Sequence, residues 1–257
     1  QQIPVAGAGP IHVQGTADTN DLFIVDFSQG NPIPSGGIFF DGAEGTGDND
    51  QLRVIGNDNS AIYTPDATQP GDGLIEVDAT LIHFANLEPV DIFNMASVLI
   101  DLPNGDDVID IANGFDLTGT GTTPAIVVSG TSGTVAFETV AIWNTATVRI
   151  DTTGTDGDDS ITIRSFSNAH GITNLDIVAG SGTDSLAING DVTLSGTLDV
   201  SLNGDVTQSG SGSTLALGAT TTVNSGSGDV VLQSATNDFT GLVTLTGGTI
   251  LLHDVND

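Results

Sequence analysis

A short motif recurs along the chain and constrains its fold more strongly than any other feature of the sequence. In each copy an aspartate closes a turn, and apolar residues follow it at alternate positions. The copies start at Asp21, Asp50, Asp107, Asp159 and Asp184. The four separations between successive copies are close to one, two, two and one times a period of about 27 residues. A coil that returns to the same face once per turn keeps such a period, whereas a sheet of hairpins has no reason to do so.

Short strands connected by turns account for most of the sequence. Apolar and polar residues alternate in runs of three to six residues, which are separated by Gly, Asn, Asp or Ser. No window has the spacing of an amphipathic helix, and the 34 glycines favour turns. Units of this size cannot bury their apolar face alone, so stacked units must bury it together. The sequence therefore predicts an all-β protein folded as a parallel β-helix (a β-solenoid) of roughly ten coils.

Two parts of this rod are expected to differ. All nine prolines precede residue 125, and proline cannot donate to a strand ladder. In the C-terminal third, residues 188–196 recur with few changes as residues 202–210. We therefore expect residues 1–174 to form an irregular β-helix with loop excursions, one of them at residues 57–73. Residues 175–257 should continue the same rod with regular repeats.

The charge of the chain excludes several classes of partner. The chain contains 33 Asp and Glu but only three Lys and Arg, all of them Arg, for a net charge of −30. Nucleic acid and anionic membranes need clustered cations, so neither is expected to bind. The longest apolar runs have four to five residues, whereas a transmembrane helix needs roughly 20, so no transmembrane segment is predicted. There is no cysteine and no signal-like segment, so we expect a mature or excised segment without disulfides.

Several stretches resemble repeats of large bacterial surface proteins. Asp205-Val-Thr-Gln-Ser-Gly210 and Thr246-Gly-Gly-Thr-Ile250 resemble filamentous-haemagglutinin-type repeats, and the likeness extends over about residues 175–257. In the first half, Phe84-Ala-Asn-Leu-Glu-Pro-Val90 and its surroundings resemble modules of giant surface proteins from planctomycete-like bacteria. The resemblance implies a secreted, right-handed β-helix that serves at the cell surface as a stalk, adhesin or fibre.

The acidic turns are candidate calcium sites. Residues 179–187 fit the calcium-binding nonapeptide of repeats-in-toxin proteins, except that Ala179 replaces the first glycine, and residues 45–52 are a near match. Calcium takes about six to eight oxygen ligands, which aspartates of successive turns and turn carbonyls supply. Adjacent carboxylates also repel each other unless something neutralises them. The predicted calcium ligands are Asp48, Asp50, Asp106, Asp107, Asp156, Asp158, Asp159 and Asp184. The alternative is that these residues only form the corners of the coils.

A polysaccharide-degrading β-helix enzyme is the alternative function. Three fragments resemble polygalacturonase motifs: Gly105-Asp106-Asp107, Gly157-Asp158-Asp159 and Asn168-Ala-His170-Gly171. Paired carboxylates serve as acid and base in glycoside cleavage. However, the Arg-Ile-Lys element of that family has no counterpart in a chain without lysine, and both aspartate pairs occupy the repeated corner position. We therefore predict a non-enzymatic structural or adhesive protein without catalytic residues.

The remaining candidates concern glycans and self-association. Trp143 and Tyr63 are candidate contacts for surface glycans, with a core or corner position as the alternative. The four histidines are dispersed without the spacing of metal ligands, so surface positions are expected. Strand-like segments near both ends of the sequence lack capping residues, and an open coil is a template for another strand. We therefore expect head-to-tail self-association into a filament, or continuation of the coil in a larger chain.

Overall fold

The protein is all-β, as the sequence predicts. A computed structural model describes residues 9–43, 45, 47, 49–118, 121–209 and 212–256. In these residues, strands alternate with turns that are rich in Gly, Asn and Asp, because such residues tolerate left-handed backbone angles. A 3-10 turn, Asn168–His170, lies between two strands. Among the described residues, none belongs to a helix that is long and apolar enough to span a membrane.

The described part of the chain contains 24 strands. In chain order they are β1 (Ile11–Gln14), β2 (Leu22–Asp26), β3 (Ile38–Asp41), β4 (Gln51–Pro65), β5 (Gly73–Val77), β6 (Thr80–Ala85), β7 (Pro89–Asp101), β8 (Val108–Phe115), β9 (Pro124–Ser132), β10 (Val135–Trp143), β11 (Thr147–Asp151), β12 (Ser160–Ile163), β13 (Phe166–Ser167), β14 (Asn174–Val178), β15 (Asp184–Ile188), β16 (Val192–Leu194), β17 (Leu198–Ser201), β18 (Gly204–Gln208), β19 (Leu215–Leu217), β20 (Thr221–Asn224), β21 (Val230–Leu232), β22 (Asp238–Phe239), β23 (Val243–Thr246) and β24 (Ile250–Leu252).

Five parallel ladders stack these strands. Ladder 1 contains β1, β3 and β6, and ladder 2 contains β2, the first parts of β4 and β7, and β10. Ladder 3 runs from the second parts of β4 and β7 through β11, β14, β17, β20 and β23. Ladder 4 contains β8, β12, β15, β18, β21 and β24, and ladder 5 contains β13, β16, β19 and β22. The architecture is therefore solenoid-like, because each strand pairs with the equivalent strand of the next level.

From β11 onward the levels follow one another at short and nearly constant steps. Leu175 pairs with Leu198, Leu198 with Thr221, and Thr221 with Val243, so each level takes about 23 residues. The first three of these side chains are buried, because alternate residues of each strand point inward and stack on their equivalents. Ladders 3 and 4 run on through residue 174, and the predicted division of the rod at that residue stays a prediction.

Two antiparallel strands lengthen the steps in the first half. β5 pairs with β4 and β6, and β9 pairs with β8 and β10. As a result, β12 pairs directly with β8 although Asp107 and Asp159 are 52 residues apart. The prediction that this interval spans two coils was wrong. Asp50 is also not equivalent to Asp107, since it precedes a strand of ladder 2 and Asp107 precedes a strand of ladder 4.

The two antiparallel strands β5 and β9, which we call the inserts, also bear on two other expectations. Ladder 3, the longest in the described residues, has seven strand segments, fewer than the roughly ten coils that an uninterrupted repeat predicts. The excursion expected at residues 57–73 begins later, because β4 continues in ladder 3 before a turn leads to β5.

Candidate functional site

Three buried aspartates form a column at the corner where ladder 4 begins. We call Asp107, Asp159 and Asp184 the inner aspartate column; each is at most 2% exposed. The backbone N–H of Asp107 donates to Asp159 Oδ1 at 2.8 Å, and the N–H of Asp159 donates to Asp184 Oδ1 at 3.2 Å. The carboxylates of Asp159 and Asp184 therefore each cap a backbone N–H of the preceding level, which offsets part of the cost of burying them. Asp107 Oδ1 instead accepts from the N–H of Gly133 at 2.9 Å, and Asp107 Oδ2 has no hydrogen-bond partner among the described residues.

A second set of aspartates points the other way. The N–H of Asp158 donates to Asp106 Oδ1 at 2.9 Å, and the N–H of Thr183 donates to Asp158 Oδ1 at 2.7 Å. Asp156 accepts from the N–H of Ser181 at 2.8 Å. We call Asp106, Asp156 and Asp158 the outer aspartates; their carboxylates cap the following level. Neighbouring carboxylates such as those of Asp158 and Asp159 thus face in opposite directions along the stack, which reduces their repulsion.

The two sets of aspartates differ in their electrostatics. Burial, together with the charges of Asp159 and Asp106, raises the pKa of Asp107 to about 6, although hydrogen bonds to the carboxylate oppose this increase. Burial also raises the pKa of Asp159 and that of Asp184. The pKa of Asp156 is lowered, chiefly by the hydrogen bond from the Ser181 hydroxyl. The inner aspartate column therefore disfavours full ionisation, whereas Asp156 favours it.

A third acidic column lies at the corner where ladder 2 begins. The N–H of Asp21 donates to Asp50 Oδ1 at 2.7 Å, and the N–H of Asp50 donates to Glu88 Oε2 at 2.6 Å. The pairing of Thr139 with Pro89 places Glu138 opposite Glu88. We call Asp21, Asp50, Glu88 and Glu138 the first-half acidic column. Burial and, to a lesser extent, the charge of Glu88 raise the pKa of Glu138 to about 8.

The predicted calcium ligands are therefore distributed over several sets. Asp50 belongs to the first-half acidic column, Asp48 lies outside the described residues, and the other six belong to the inner and outer sets. In the part of the chain that is described, no group of three or more His, Asp or Glu side chains has the arrangement of a metal site. Sequence analysis missed Glu88 and Glu138, although each is followed by the same alternation of apolar residues that marks the aspartate corners.

Of the three polygalacturonase-like fragments, the two aspartate pairs stack on each other, whereas the histidine fragment lies far from them. His170 Nε2 lies 3.0 Å from Asn113 Oδ1, near the end of β8. Asp107 immediately precedes β8, six residues before Asn113, which corresponds to about 20 Å along a strand. Burial lowers the pKa of His170. The imidazole and the aspartate corner therefore lie at opposite ends of one strand, too far apart to act on one glycosidic bond.

Arg53 forms a largely buried ion pair on the outer face of ladder 2. Its Nη2 lies 3.1 Å from Asp91 Oδ2 and 3.4 Å from Asp116 Oδ2, and the Asp91 side chain is inaccessible to solvent. The Thr118 N–H and hydroxyl also donate to Asp91 Oδ2, at 3.1 and 2.5 Å. These bonds hold the segment that follows β8 against ladder 2. Sequence reasoning did not find this cluster, because its members are far apart in the chain.

A polar groove crosses the corner between ladders 2 and 3. It has a volume of about 450 Å³, and its lining includes Asn57, Asp58, Asn94 and Asn144. Asp58, Asn94 and Asn144 have φ angles of 60°, 60° and 47°, a left-handed conformation that Asn and Asp tolerate better than other side chains. The Asn144 Nδ2 donates to Asn94 Oδ1 at 2.6 Å. We call this feature the asparagine groove.

The two predicted glycan contacts have different environments. Trp143, which directly precedes Asn144, is partly buried, and its ring stacks on Phe93 with centroids 4.1 Å apart and planes at 12°. The Arg53 guanidinium lies 5.8 Å from the Phe93 centroid. Tyr63, by contrast, lies in the core, which was the alternative interpretation. Only Trp143 of this pair therefore remains in contact with solvent.

Comparison with known proteins gives one match. A family model described as repeats of unknown function (DUF5649) matches residues 173–246. This segment begins at the turn before β14 and ends with β23, so it consists of the regular levels of ladders 3, 4 and 5. No curated protein and no solved structure matches the chain.

Proposed function

We propose that the chain is a segment of an extracellular structural or adhesive protein, in which a right-handed parallel β-helix forms a cell-surface stalk or fibre. The observation that carries the proposal is the stacking of the parallel ladders, in which corner carboxylates such as those of Asp159 and Asp184 accept from backbone N–H groups of the neighbouring level. Side chains committed in this way support the stacking of levels and are poorly placed for chemistry. The right-handed sense rests on the strong preference of parallel crossover connections for that hand.

Assays on polysaccharides test this proposal against the enzyme alternative. Neutral and acidic polysaccharides should yield neither reducing ends nor unsaturated products when incubated with the protein. Turnover that disappears in Asp107→Asn or Asp158→Asn, but survives in the Asp205→Asn control at another corner, would establish an enzyme instead. Single-particle images should also resolve a right-handed coil, about 30 Å long over the seven segments of ladder 3.

The last described level supports the part of the proposal in which the rod continues, either by self-association into a filament or within a larger chain. Val230 and Leu232 of β21 are 0% and 1% exposed, whereas their partners Ile250 and Leu252 in β24 are 42% and 41% exposed. Another level stacked on β23 and β24 would bury these side chains and pair the free strand edges. Native material should therefore contain fibres in negative-stain images, and Ile250→Lys should abolish them. Compact particles alone in native material would refute self-association.

Calcium binding is the remaining part of the proposal. At a net charge of −30, the folded chain repels itself, and cations that bind it preferentially stabilise it by mass action. Millimolar calcium should raise the melting temperature above that in chelator at matched ionic strength. Magnesium at the same concentration serves as the control for general screening. An unchanged melting temperature in calcium would favour the corner role of the aspartates alone.

A further inference from the structure

The asparagine groove is a concave surface built from amides. In ladder 2, Ile55 pairs with Phe93, and Phe93 pairs with Trp143. The residues that follow these three, namely Gly56, Asn94 and Asn144, therefore occupy the same corner in successive levels. Gly56 and Gly171 also line the groove, and each lies so close to Asn94 or Asn144 that a larger side chain would collide with its neighbours. Three levels correspond to roughly 10 Å along the stack.

The amide pair presents a donor and an acceptor side by side. The Asn144 Nδ2 donates to Asn94 Oδ1, and this bond fixes which end of each amide faces the groove. Asn94 Nδ2 and Asn144 Oδ1 have no hydrogen-bond partner among the described residues. A hydroxyl group both donates and accepts, so two neighbouring hydroxyls of a ligand match this pair. The Asp58 carboxylate and the Thr173 hydroxyl in the same lining add further partners for hydroxyl groups.

Two stacked aromatic rings directly precede the amides in the chain. Trp143 precedes Asn144 and Phe93 precedes Asn94, and their rings stack on each other, although neither is among the residues that line the groove. β10 is the last strand of ladder 2 in the described residues, and the next level at this corner is the turn at His170, whose carbonyl accepts from the Asn144 N–H. A pyranose, which has apolar C–H groups on its faces and hydroxyls at its edge, suits a pair of amides with an aromatic ring one residue away.

Charge restricts the class of ligand. The described lining contains no Arg or His, and it includes the carboxylate of Asp58. Together with the net charge of −30, this disfavours nucleotides, phosphates and acidic sugars. A divalent cation needs several carboxylate or carbonyl oxygens, and Asp58 is the only carboxylate in the described lining. A neutral ligand rich in hydroxyl groups remains.

We propose that the asparagine groove binds a neutral oligosaccharide, with vicinal hydroxyls on the Asn94–Asn144 amides and a sugar ring against Trp143. The inference rests on the adhesive part of the proposed function and names its partner class. Trp143 is the single tryptophan of the chain, so its fluorescence reports directly on this site.

The experiment titrates the full chain with cellotetraose, mannotetraose and chitotetraose while the fluorescence of Trp143 is measured. At least one of these sugars should give a saturable change with a Kd in the millimolar range. Asn144→Gly should weaken binding about tenfold or more, because it removes an amide, while glycine readily adopts the left-handed backbone. Asn86→Gly is the matched control, since Asn86 is also left-handed, at φ 55°, and lies outside the groove. It should bind normally.

Three outcomes would overturn the inference. They are no saturable change with any of the three sugars, equal binding of tetragalacturonate, or a calcium-induced change of the same size that Asn144→Gly abolishes. Thr173→Val removes a hydroxyl group from another part of the lining and should also weaken binding. Its melting temperature should equal that of the wild type, which would show that the weaker binding is not caused by a failure to fold. If the fibres look normal but bind no sugar, only this inference is refuted. If the protein cleaves the sugars, the proposed function is refuted.

Discussion

The first and second halves of the molecule stack strands in the same way but are held together differently. Up to β10, the antiparallel strands β5 and β9 widen the coil, and residues from distant levels meet on its outer face. From β11 onward, the described levels contain parallel pairs only and repeat at about 23 residues. A regular solenoid gains stability from identical neighbour interfaces. An interrupted one needs specific contacts that hold its inserts in place.

Two buried polar clusters illustrate the difference. In the first half, Arg53 neutralises Asp91 and Asp116 and thereby holds the segment after β8 on ladder 2. In the second half, Gln208 stands in ladder 4 at the position that Ile188 occupies one level earlier. Its Nε2 donates to Asn237 Oδ1 at 2.8 Å, and Asn237 Nδ2 donates back to Gln208 Oε1 at 2.9 Å. The buried ion pair on ladder 2 and the neutral amide pair of Gln208 and Asn237 therefore connect distant segments by different chemistry.

The largest effect is expected from Arg53→Met. Removal of the guanidinium leaves the Asp91 carboxylate buried without its cation, which should lower the free energy of unfolding by about 3 kcal/mol or more. Urea denaturation followed by circular dichroism measures this loss. Arg164→Met is the matched control, because Arg164 and its partner Asp110 are exposed, and it should leave stability unchanged. Equal losses in the two variants would show that the ion pair on ladder 2 has no special role.

A smaller effect is expected from Gln208→Leu in the second half. The substitution leaves the Asn237 amide buried without its partner, at a cost of about 1–3 kcal/mol. The double variant Gln208→Leu/Asn237→Leu should recover part of this loss, because the unpaired amide is then absent, although the backbone N–H groups of Leu215 and Ser234 lose their acceptors. A double variant that is less stable than Gln208→Leu would mean that these unpaired N–H groups cost more than the unpaired Asn237 amide.

The local pattern of the sequence predicts the regular features of the fold well. Alternating apolar residues after an aspartate correctly identified three strands of ladder 4, namely β8, β12 and β15, and the equivalence of Asp107, Asp159 and Asp184. The echo of residues 188–196 in residues 202–210 was less direct, since it relates strands β16 and β18 of different ladders. Turn residues look alike at every corner, so sequence similarity alone does not distinguish a step along the stack from a step around it.

Contacts between distant segments account for what the sequence did not reveal. The inserts β5 and β9 alternate like every other strand, and only their pairing partners make them antiparallel. Arg53 meets Thr118 because an insert returns to ladder 2. The asparagine groove likewise depends on Asn94 and Asn144 being neighbours, although they are 50 residues apart in the chain. These separations depend on the lengths of the inserts, which no local motif encodes.

The smallest effect concerns pH and the first-half acidic column. The pKa of Glu138 is raised to about 8 by burial and by Glu88, so its ionised form is less stable in the folded state than in the unfolded chain. This penalty is absent below the pKa of the unfolded chain, near 4.5, and is complete only above pH 8. Because the side chain keeps some contact with water, we expect the penalty to reach about 1 kcal/mol at pH 9.

Glu138→Gln isolates this contribution from the repulsion of the other acidic groups. The variant should be more stable than the wild type at pH 9, and the difference should disappear at pH 5, where Glu138 is protonated in the folded wild type. Glu138→Asp, which retains a carboxyl group, should behave more like the wild type. Urea denaturation at both pH values measures the difference. A difference in stability that stays constant between pH 5 and pH 9 would mean that Glu138 titrates normally. The first-half acidic column would then accommodate its charges as readily as the outer aspartates accommodate theirs.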